Sequence, residues 1–425
     1  MAFSHPLHRK SEKNTMVNVL VFPCGSEIGL EIHRSLAGNK HFKLFGASSV
    51  EDHGRFVYEN YFGGMPNVEE GEVFWEKLFE LQRKIDAKFI IPAHDAVLRA
   101  IIADNITYPF LLVPEQYALR CCMDKRMTYA ALPSISPKES DHYPKFAKPH
   151  NGNGSKGCRM IHNEEEEAAA IREGLIVQEY LPGPEYTVDC FTDKDGQLRF
   201  KEGRTRDRIK DGIAVETAAI TNISTGIMAW NFARKINETL PMRGAWFFQV
   251  KEQADGTLAV LEVAPRIAGS SGLWRAYGVN LTELTLWDAL GYDVDIILSD
   301  HDVTMSRALD NRYELDYIIK RVYVDKDDTI FNGEGINPSV FEFLIRCRNK
   351  GIEIEVLSRT MSEDVPHWLY FLKAKIFLIP EGKPKSAYIN PDGAIFIDDS
   401  FKERKEVHDA LRIPVFSPDC LPCLL

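Results

Sequence analysis

Residues 145–161 read KFAKPHNGNGSKGCRMI, and the reading of this run decides the first three hundred residues. A strand carrying Lys148 leads into Gly152, Gly154, Ser155 and Gly157, and a second strand follows. Glycines let backbone N–H groups come close to phosphate oxygens, and the lysine adds charge. The run is not a Walker loop, because no GK[ST] precedes a helix. By itself, such a hairpin fits a structural turn as well as a phosphate site.

Its neighbours bear on the choice. Upstream, MDKRMTYAAL places Lys125 at a helix start. Downstream, IVQEYLPGPEYTVDCF gives strand, turn and strand with Glu179 and Glu185. Further on, GAWFFQVKEQADGTLAVLEVAPRIAGSSG pairs two strands, so that Gln249 and Glu262 face one another with Arg266 just beyond. Lysines, carboxylates and an arginine gathered in one place suit phosphoryl transfer. Oxygen ligands hold magnesium, and cations offset the developing charge.

Working outward, strands and helices alternate along most of the 425 residues, which predicts parallel α/β sheets. A chain of this length needs more than one core. Residues 1–15 read as a polar, flexible tail without an apolar export signal. Residues 16–118 read as a Rossmann-like domain opened by MVNVLVFPCGSEIG. The turn CGSEIG lacks the full GxGxxG fingerprint, so a tight strand-to-helix turn is the better reading than a dinucleotide site. Residues 119–305 form a second α/β region, residues 306–317 a polar linker, and residues 312–425 a third unit. The run EEEE at 164–167 reads as a solvated helix start, where carboxylates complement the N-terminus.

Formal net charge is −11, from 51 Lys and Arg against 62 Asp and Glu. That disfavours a general nucleic-acid binder, while local lysines still serve small anionic ligands. No apolar run is long enough for a membrane span. Eight cysteines without framework spacing read as free thiols of a reducing cytoplasm. The CxxC of Cys420 and Cys423 cannot by itself complete a zinc site.

The motifs of residues 16–300 together resemble the ATP-grasp superfamily, nearest to its carbamoyl-phosphate-synthetase-like carboxylate–amine ligases. The matching elements are DK at 124–125, the run from Lys148 to Gly157, QEYLPGPEYTVD from Gln178 to Asp189, and EVAPR at 262–266. The resemblance implies that Lys125 and Lys148 contact ATP phosphates and that Gly152, Gly154, Ser155 and Gly157 cover them. Glu179, Tyr180 and Leu181 would line the adenine pocket, and Glu185 would bind the ribose. Gln249 and Glu262 would hold magnesium (or manganese), and Arg266 would stabilise the transferred phosphoryl group. Arg204 and Arg206 would be further phosphate or substrate contacts. It also implies ADP formation through an acyl phosphate, with small-molecule carboxylate and amine substrates. One departure stands out. Ala264 replaces the asparagine that the family commonly uses as a further magnesium ligand, so either water or another oxygen fills that position or catalysis is weakened.

Residues 321–330, RVYVDKDDTI, put three aspartates within four positions at a strand end. A solvated turn would account for them locally, but later elements repeat the pattern. IEIEVLS ends in Ser358, Lys383 and Lys385 follow, and AIFIDDS ends in Asp398 and Asp399. In that order they resemble the haloacid dehalogenase (HAD) phosphatase superfamily, without room for a sizeable cap. The resemblance implies that Asp325 is the nucleophile and Asp327 the general acid and base, both at the metal site. Thr329 and Ser358 would position the phosphoryl group, Lys383 or Lys385 would offset its charge, and Asp398 and Asp399 would support magnesium. A phosphorylated metabolite is then a further substrate, and no nucleic acid or membrane partner is expected. Many relatives pair, which leaves a homodimer open.

The expectation is therefore a bifunctional α/β enzyme, a Rossmann-like and ATP-grasp ligase followed by a capless Rossmannoid HAD phosphatase. The alternative is a phosphatase regulated by a nucleotide-sensing, catalytically weak ATP-grasp half.

Overall fold

The computed structural model describes residues 16–152, 156–210, 212–313, 315–332, 335–360 and 367–424. The tail at 1–15 and the loop residues Gly154 and Ser155 lie outside the described residues, as does the side chain of Cys423. The chain divides into two compact units at Leu309/Asp310, and residues 16–118 and 119–305 fall together in the first.

The first unit opens with a parallel sheet of order β3-β2-β1-β4: β1 (Val17–Phe22), β2 (Phe42–Ala47), β3 (Tyr61–Phe62) and β4 (Phe89–Pro92). Strands covered on both faces read as apolar runs, and Val19 to Phe22 are all buried. Helices α1 (Glu27–Leu36), α2 (Glu72–Lys84) and α3 (Asp95–Ala103) follow strands β1, β3 and β4. The Ser26 side chain caps α1 by accepting from the Gly29 N–H at 2.9 Å. The CGSEIG turn is filled by the protein itself. A Cβ on Gly25 would lie 2.0 Å from the Asp52 carboxylate, so a larger residue there would have to push that side chain aside.

The remainder of the unit is antiparallel. β5 (Lys145–Lys148), β6 (Arg159–Ile161) and β7 (Ile176–Glu179) make a small sheet of order β6-β5-β7. β8 (Glu185–Thr192), β9 (Leu198–Thr205), β12 (Gly244–Glu252) and β13 (Leu258–Ala264) make a larger one of order β13-β12-β8-β9. Between and after them, β10 (Arg208–Lys210), β11 (Ile213–Ala218) and β14 (Thr304–Ser306) form a third sheet. The EEEE run is the first turn of the helix Glu164–Arg172. It is not wholly solvated, since Glu167 takes a 2.7 Å bond from Lys145. The two halves of the unit share a core. Ile32 and Leu36 of α1 cluster with Trp274, Leu281 and Leu286.

The second unit is built on a parallel sheet of β15 (Arg321–Asp325), β16 (Glu353–Ser358), β17 (Lys375–Leu378), β18 (Ala394–Ile397) and β19 (Val415–Phe416), in the order β17-β16-β15-β18-β19. The helix Pro338–Asn349 starts where the sequence predicts. Asn337 caps it, Pro338 occupies its first turn and Gly351 ends it at φ 75°. Strand order reverses about β15, so the crevice beyond its C-terminal end is where a parallel sheet places a ligand site. No helix among the described residues is long and apolar enough to cross a membrane.

Candidate functional sites

In the first unit, a cavity of about 230 Å³ opens between the small sheet and the larger one. Lys125, Lys148, Gly152, Glu179, Glu185 and Glu262 all line it, as do Tyr180, Leu181 and Gln249. Lys125 sits at the start of the helix Lys125–Ala131, whose N-cap is Asp124. Its Nζ donates to the Gly152 carbonyl at 2.7 Å and lies 3.5 Å from Glu262 Oε2. Gly157 takes φ 74° at the end of the glycine run.

Lys148 is 5% exposed, and its ammonium lies 5.1 Å over the Tyr129 ring. Burial, helped by the like charge of Lys125, pushes its pKa down to about 7. A desolvated lysine beside a second lysine is a site that gains by receiving anionic oxygens. Glu179 Oε1 accepts the Lys138 N–H at 2.7 Å, so its side chain serves the wall.

Strand register places Gln249 opposite Glu262, as the sequence predicts. The amide is committed elsewhere, however. It is oriented to donate to Glu185 at 3.3 Å and to accept from Arg206 at 3.2 Å. Arg206 also pairs with Glu185 at 2.8 Å. Gln249, expected with Glu262 to hold magnesium, bridges Glu185 and Arg206 in this arrangement and faces Glu262 across the strands. Ala264 is buried against Phe247 and Ala268 and offers no ligand atom.

A second cavity, about 470 Å³, adjoins the first through shared lining residues Lys156, Arg206, Gly212, Gln249 and Glu262. Its far side comes from the helices of the parallel sheet, with Glu27 at the start of α1 and Asp95 at the start of α3. Arg266 lies here rather than in the first cavity, and it binds Asp95 through two bonds of 2.5 and 3.1 Å. Asp95 stands 171 positions away, and nothing in the sequence reading signalled it. Arg204 also lines the second cavity and not the first. It is 2% exposed and its Nε donates to Asp189 at 2.6 Å. Expected among the phosphate or substrate contacts, Arg204 thus faces the second cavity and not the one lined by Lys125 and Lys148.

The second unit gathers three aspartates and a serine at the C-terminal ends of three neighbouring strands. Asp325 ends β15, Ser358 ends β16, and Asp398 and Asp399 follow β18. Lys385 Nζ donates to Asp325 at 2.5 Å and to Asp398 at 2.6 Å, and all three side chains are buried. Burial pushes Asp325 up to about 7 and also raises Asp398. Lys385 is raised by its two carboxylate partners, which outweigh its desolvation. Lys383 is exposed, and its backbone is engaged, by the Pro380 carbonyl at 3.1 Å and by Arg359 at 3.0 Å. The choice left open between the two lysines thus goes to Lys385, and Lys383 is not brought into the cluster.

Thr329 is fully buried, and its Oγ accepts the Asp399 N–H at 2.9 Å. Carboxylate oxygens of Asp325, Asp398 and Asp399 all lie within 4.8 Å of one another. Three carboxylates against one lysine leave a surplus of negative charge, which fits a hard divalent cation. The Asp327 carboxylate is outside this group. It is turned toward Ser358 at 3.3 Å, the Thr360 hydroxyl and Lys326 at 3.3 Å. Its expected place as a side-chain metal ligand is corrected accordingly.

Comparison with known proteins bears on the first unit. Residues 172–311 match the family model described as ATP-grasp in the biosynthetic pathway with Ter operon. The chain is similar to the 3-methyl-D-ornithine–L-lysine ligase of Methanosarcina acetivorans, 26% identical over 231 residues, covering 52% of this chain and 60% of that protein. The corresponding ligase of Methanosarcina mazei is 24% identical over 220 residues, covering 49% and 56%. The chain thus spans less than two thirds of the length of these relatives. Among solved structures, N5-carboxyaminoimidazole synthetase from Staphylococcus aureus with ADP superposes at TM-score 0.56 and 17% identity, over 69% of this chain and 82% of that one. The L-amino acid ligase from Bacillus licheniformis gives TM-score 0.51 and 17% identity, over 66% and 75%. The first unit has the ATP-grasp fold.

Proposed function

We propose that the first unit is an ATP-dependent carboxylate–amine ligase and that the second is a HAD-type phosphatase. The observation that carries the ligase reading is the pair of adjoining cavities. One presents Lys125, Lys148 and Glu262, and it opens through Glu262 and Arg206 into another that has room for an acid. ATP would occupy the first, with Glu185 toward the ribose. Magnesium, held by Glu262 and water, would supply charge neutralisation at the phosphates. A carboxylate oxygen attacks the γ-phosphorus, the bond to the β-phosphate oxygen breaks, and ADP leaves. The amine nitrogen then attacks the acyl carbon, the bond to the phosphate oxygen breaks, and the nitrogen gives up a proton. Arg266, oriented by Asp95, would hold the transferred phosphoryl oxygens. The matched relatives named as ligases support this reading.

In the second unit, Asp325 would attack the phosphorus of a monoester and displace the alkoxide, which takes a proton from Asp327. Water, deprotonated by Asp327, would then cleave the aspartyl phosphate. Magnesium, held by Asp325, Asp398 and Asp399, would offset phosphoryl charge.

The deciding measurement is ADP release from magnesium-ATP with pooled carboxylic and amino acids, alongside p-nitrophenyl phosphate hydrolysis. Wild type is compared with Glu262→Ala and Asp325→Asn. ADP that needs both a pool and Glu262 supports the ligase. ATP binding without ADP release, with hydrolysis still lost in Asp325→Asn, would favour the reading that Ala264 anticipates, a phosphatase with a nucleotide-sensing partner half.

A further inference from the structure

The floor of the larger of the two adjoining cavities is a single cross-strand row. Glu262 stands opposite Gln249, Gln249 opposite Thr187, and Thr187 opposite Arg204, on four successive strands. Residues directly opposite in antiparallel strands present their side chains to one face, and all four line this cavity. With strands about 4.8 Å apart, the two ends of the row stand roughly 14 Å apart at the backbone. Glu262, at one end, belongs also to the ATP cavity, whereas Arg204, at the other, does not.

Arg204 is a buried guanidinium with unused donors. Asp189 takes its Nε, and Asp189 is itself fixed by the Trp274 indole N–H at 2.8 Å. Among the described residues, Nη1 of Arg204 has no hydrogen-bond partner. An unpaired buried donor on a charged group costs stability, and a ligand anion recovers it. The reacting carboxylate belongs at the Glu262 end, where the two cavities meet. An anion at Arg204 must therefore be a different group.

We infer that the acid activated in this cavity carries a second anionic group, carboxylate or phosphate, remote from the reacting carboxylate and held by Arg204. The inference rests on the ligase reading above. A phosphorylated acid would also make the ligated product a monoester of the kind the second unit is proposed to hydrolyse.

The test uses the full chain in the Asp325→Asn background, so that phosphate esters survive. Magnesium-ATP and hydroxylamine are supplied with L-alanine, L-glutamate or O-phospho-L-serine, and the acyl phosphate is trapped as a hydroxamate. Because hydroxylamine replaces the amine, only the acid is interrogated. Calorimetry of the same acids with magnesium and a non-hydrolysable ATP analogue reads binding without turnover. The expected result is a KM for one dianionic acid about tenfold or more below that for L-alanine. Glutamate against phosphoserine then separates the two anion sources. Arg204→Lys, which keeps the charge beside Asp189, should raise that KM about tenfold and leave the KM for ATP unchanged.

Hydroxamate formed equally well from L-alanine, with Arg204→Lys indifferent, would leave the ligase standing and overturn the inference. No hydroxamate from any acid, with Arg204-dependent binding of a dianion still seen by calorimetry, would overturn the ligase reading and keep the anion site. The discrimination among acids by the unaltered Arg204 decides the matter even if the lysine variant does not fold.

Discussion

Lys148 and Lys385 are both buried lysines, and the structure uses them in opposite ways. Lys148 faces no carboxylate at hydrogen-bond distance among the described residues, so burial lowers its pKa to about 7, against an ordinary value of about 10.4. Between those values the unfolded chain binds more protons than the folded one. This group therefore makes stability rise with pH from about 7 toward 10, and its burial penalty is fully present below 7. Lys148→Met should flatten that slope in pH-dependent melting and weaken ATP binding at least about tenfold. At pH 8, ATP binding to the wild type should take up a proton, measured by titration calorimetry in buffers of different ionisation enthalpy. Lys385 has two carboxylates on it instead. Removing it strands two buried acids, which costs about 3–5 kcal/mol. Lys385→Met should thus lower the melting point of the second unit and cut phosphatase turnover at least about a hundredfold. Lys383→Ala, at an exposed position, should shift stability by no more than about 0.5 kcal/mol. The sequence could not choose between these lysines, since both sit in one loop and only the backbone path decides which is buried.

At the scale of elements, the loop after β13 shows how little space separates the parallel-sheet region from the strands that line the two cavities. A Cβ on Gly269 would lie 2.2 Å from Glu27 Oε1, and Glu27 is held by Arg307 at 2.5 Å. The obstructing atom ends a flexible side chain, so Gly269→Ala should cost only about 1 kcal/mol in melting. It should nevertheless displace the Glu27 carboxylate and raise the KM for the acid several-fold, with the KM for ATP unchanged. Steady-state kinetics in both substrates checks this. Elements of this kind were largely legible beforehand. The apolar run at 17–22, the cap at Asn337 and the facing of Gln249 and Glu262 follow from local pattern. The bond from Arg266 to Asp95 and the burial of Arg204 do not, because they depend on which distant elements pack together. Asp327 likewise belongs to a strand-end motif that is plain in sequence, yet the direction of its side chain is set by Ser358 and Thr360, at and just beyond the end of another strand.

For the whole molecule, two units with their own cores imply two unfolding events. The second unit has the clusters around Val322 and Val324 and around Tyr323 and Phe396, with no member from the first. Calorimetric melting should show two transitions. Magnesium with a non-hydrolysable ATP analogue at a hundredfold its dissociation constant should add about 2.7 kcal/mol to one of them alone. Magnesium with inorganic phosphate should raise the other. A single transition that moves with either ligand would contradict the separation.

The Asp95–Arg266 bond reaches further than its two residues. It ties the parallel-sheet region to the strand that carries Glu262, so these segments are not freely interchangeable parts. A chimera that took its first 118 residues from another protein of this fold would leave Arg266 without its hydrogen-bonded carboxylate unless the donor also brought an acid to the start of the corresponding helix. Recombination within this lineage should therefore have moved the two segments as one block, and pairs of sequences that lost the arginine should have lost the aspartate with it.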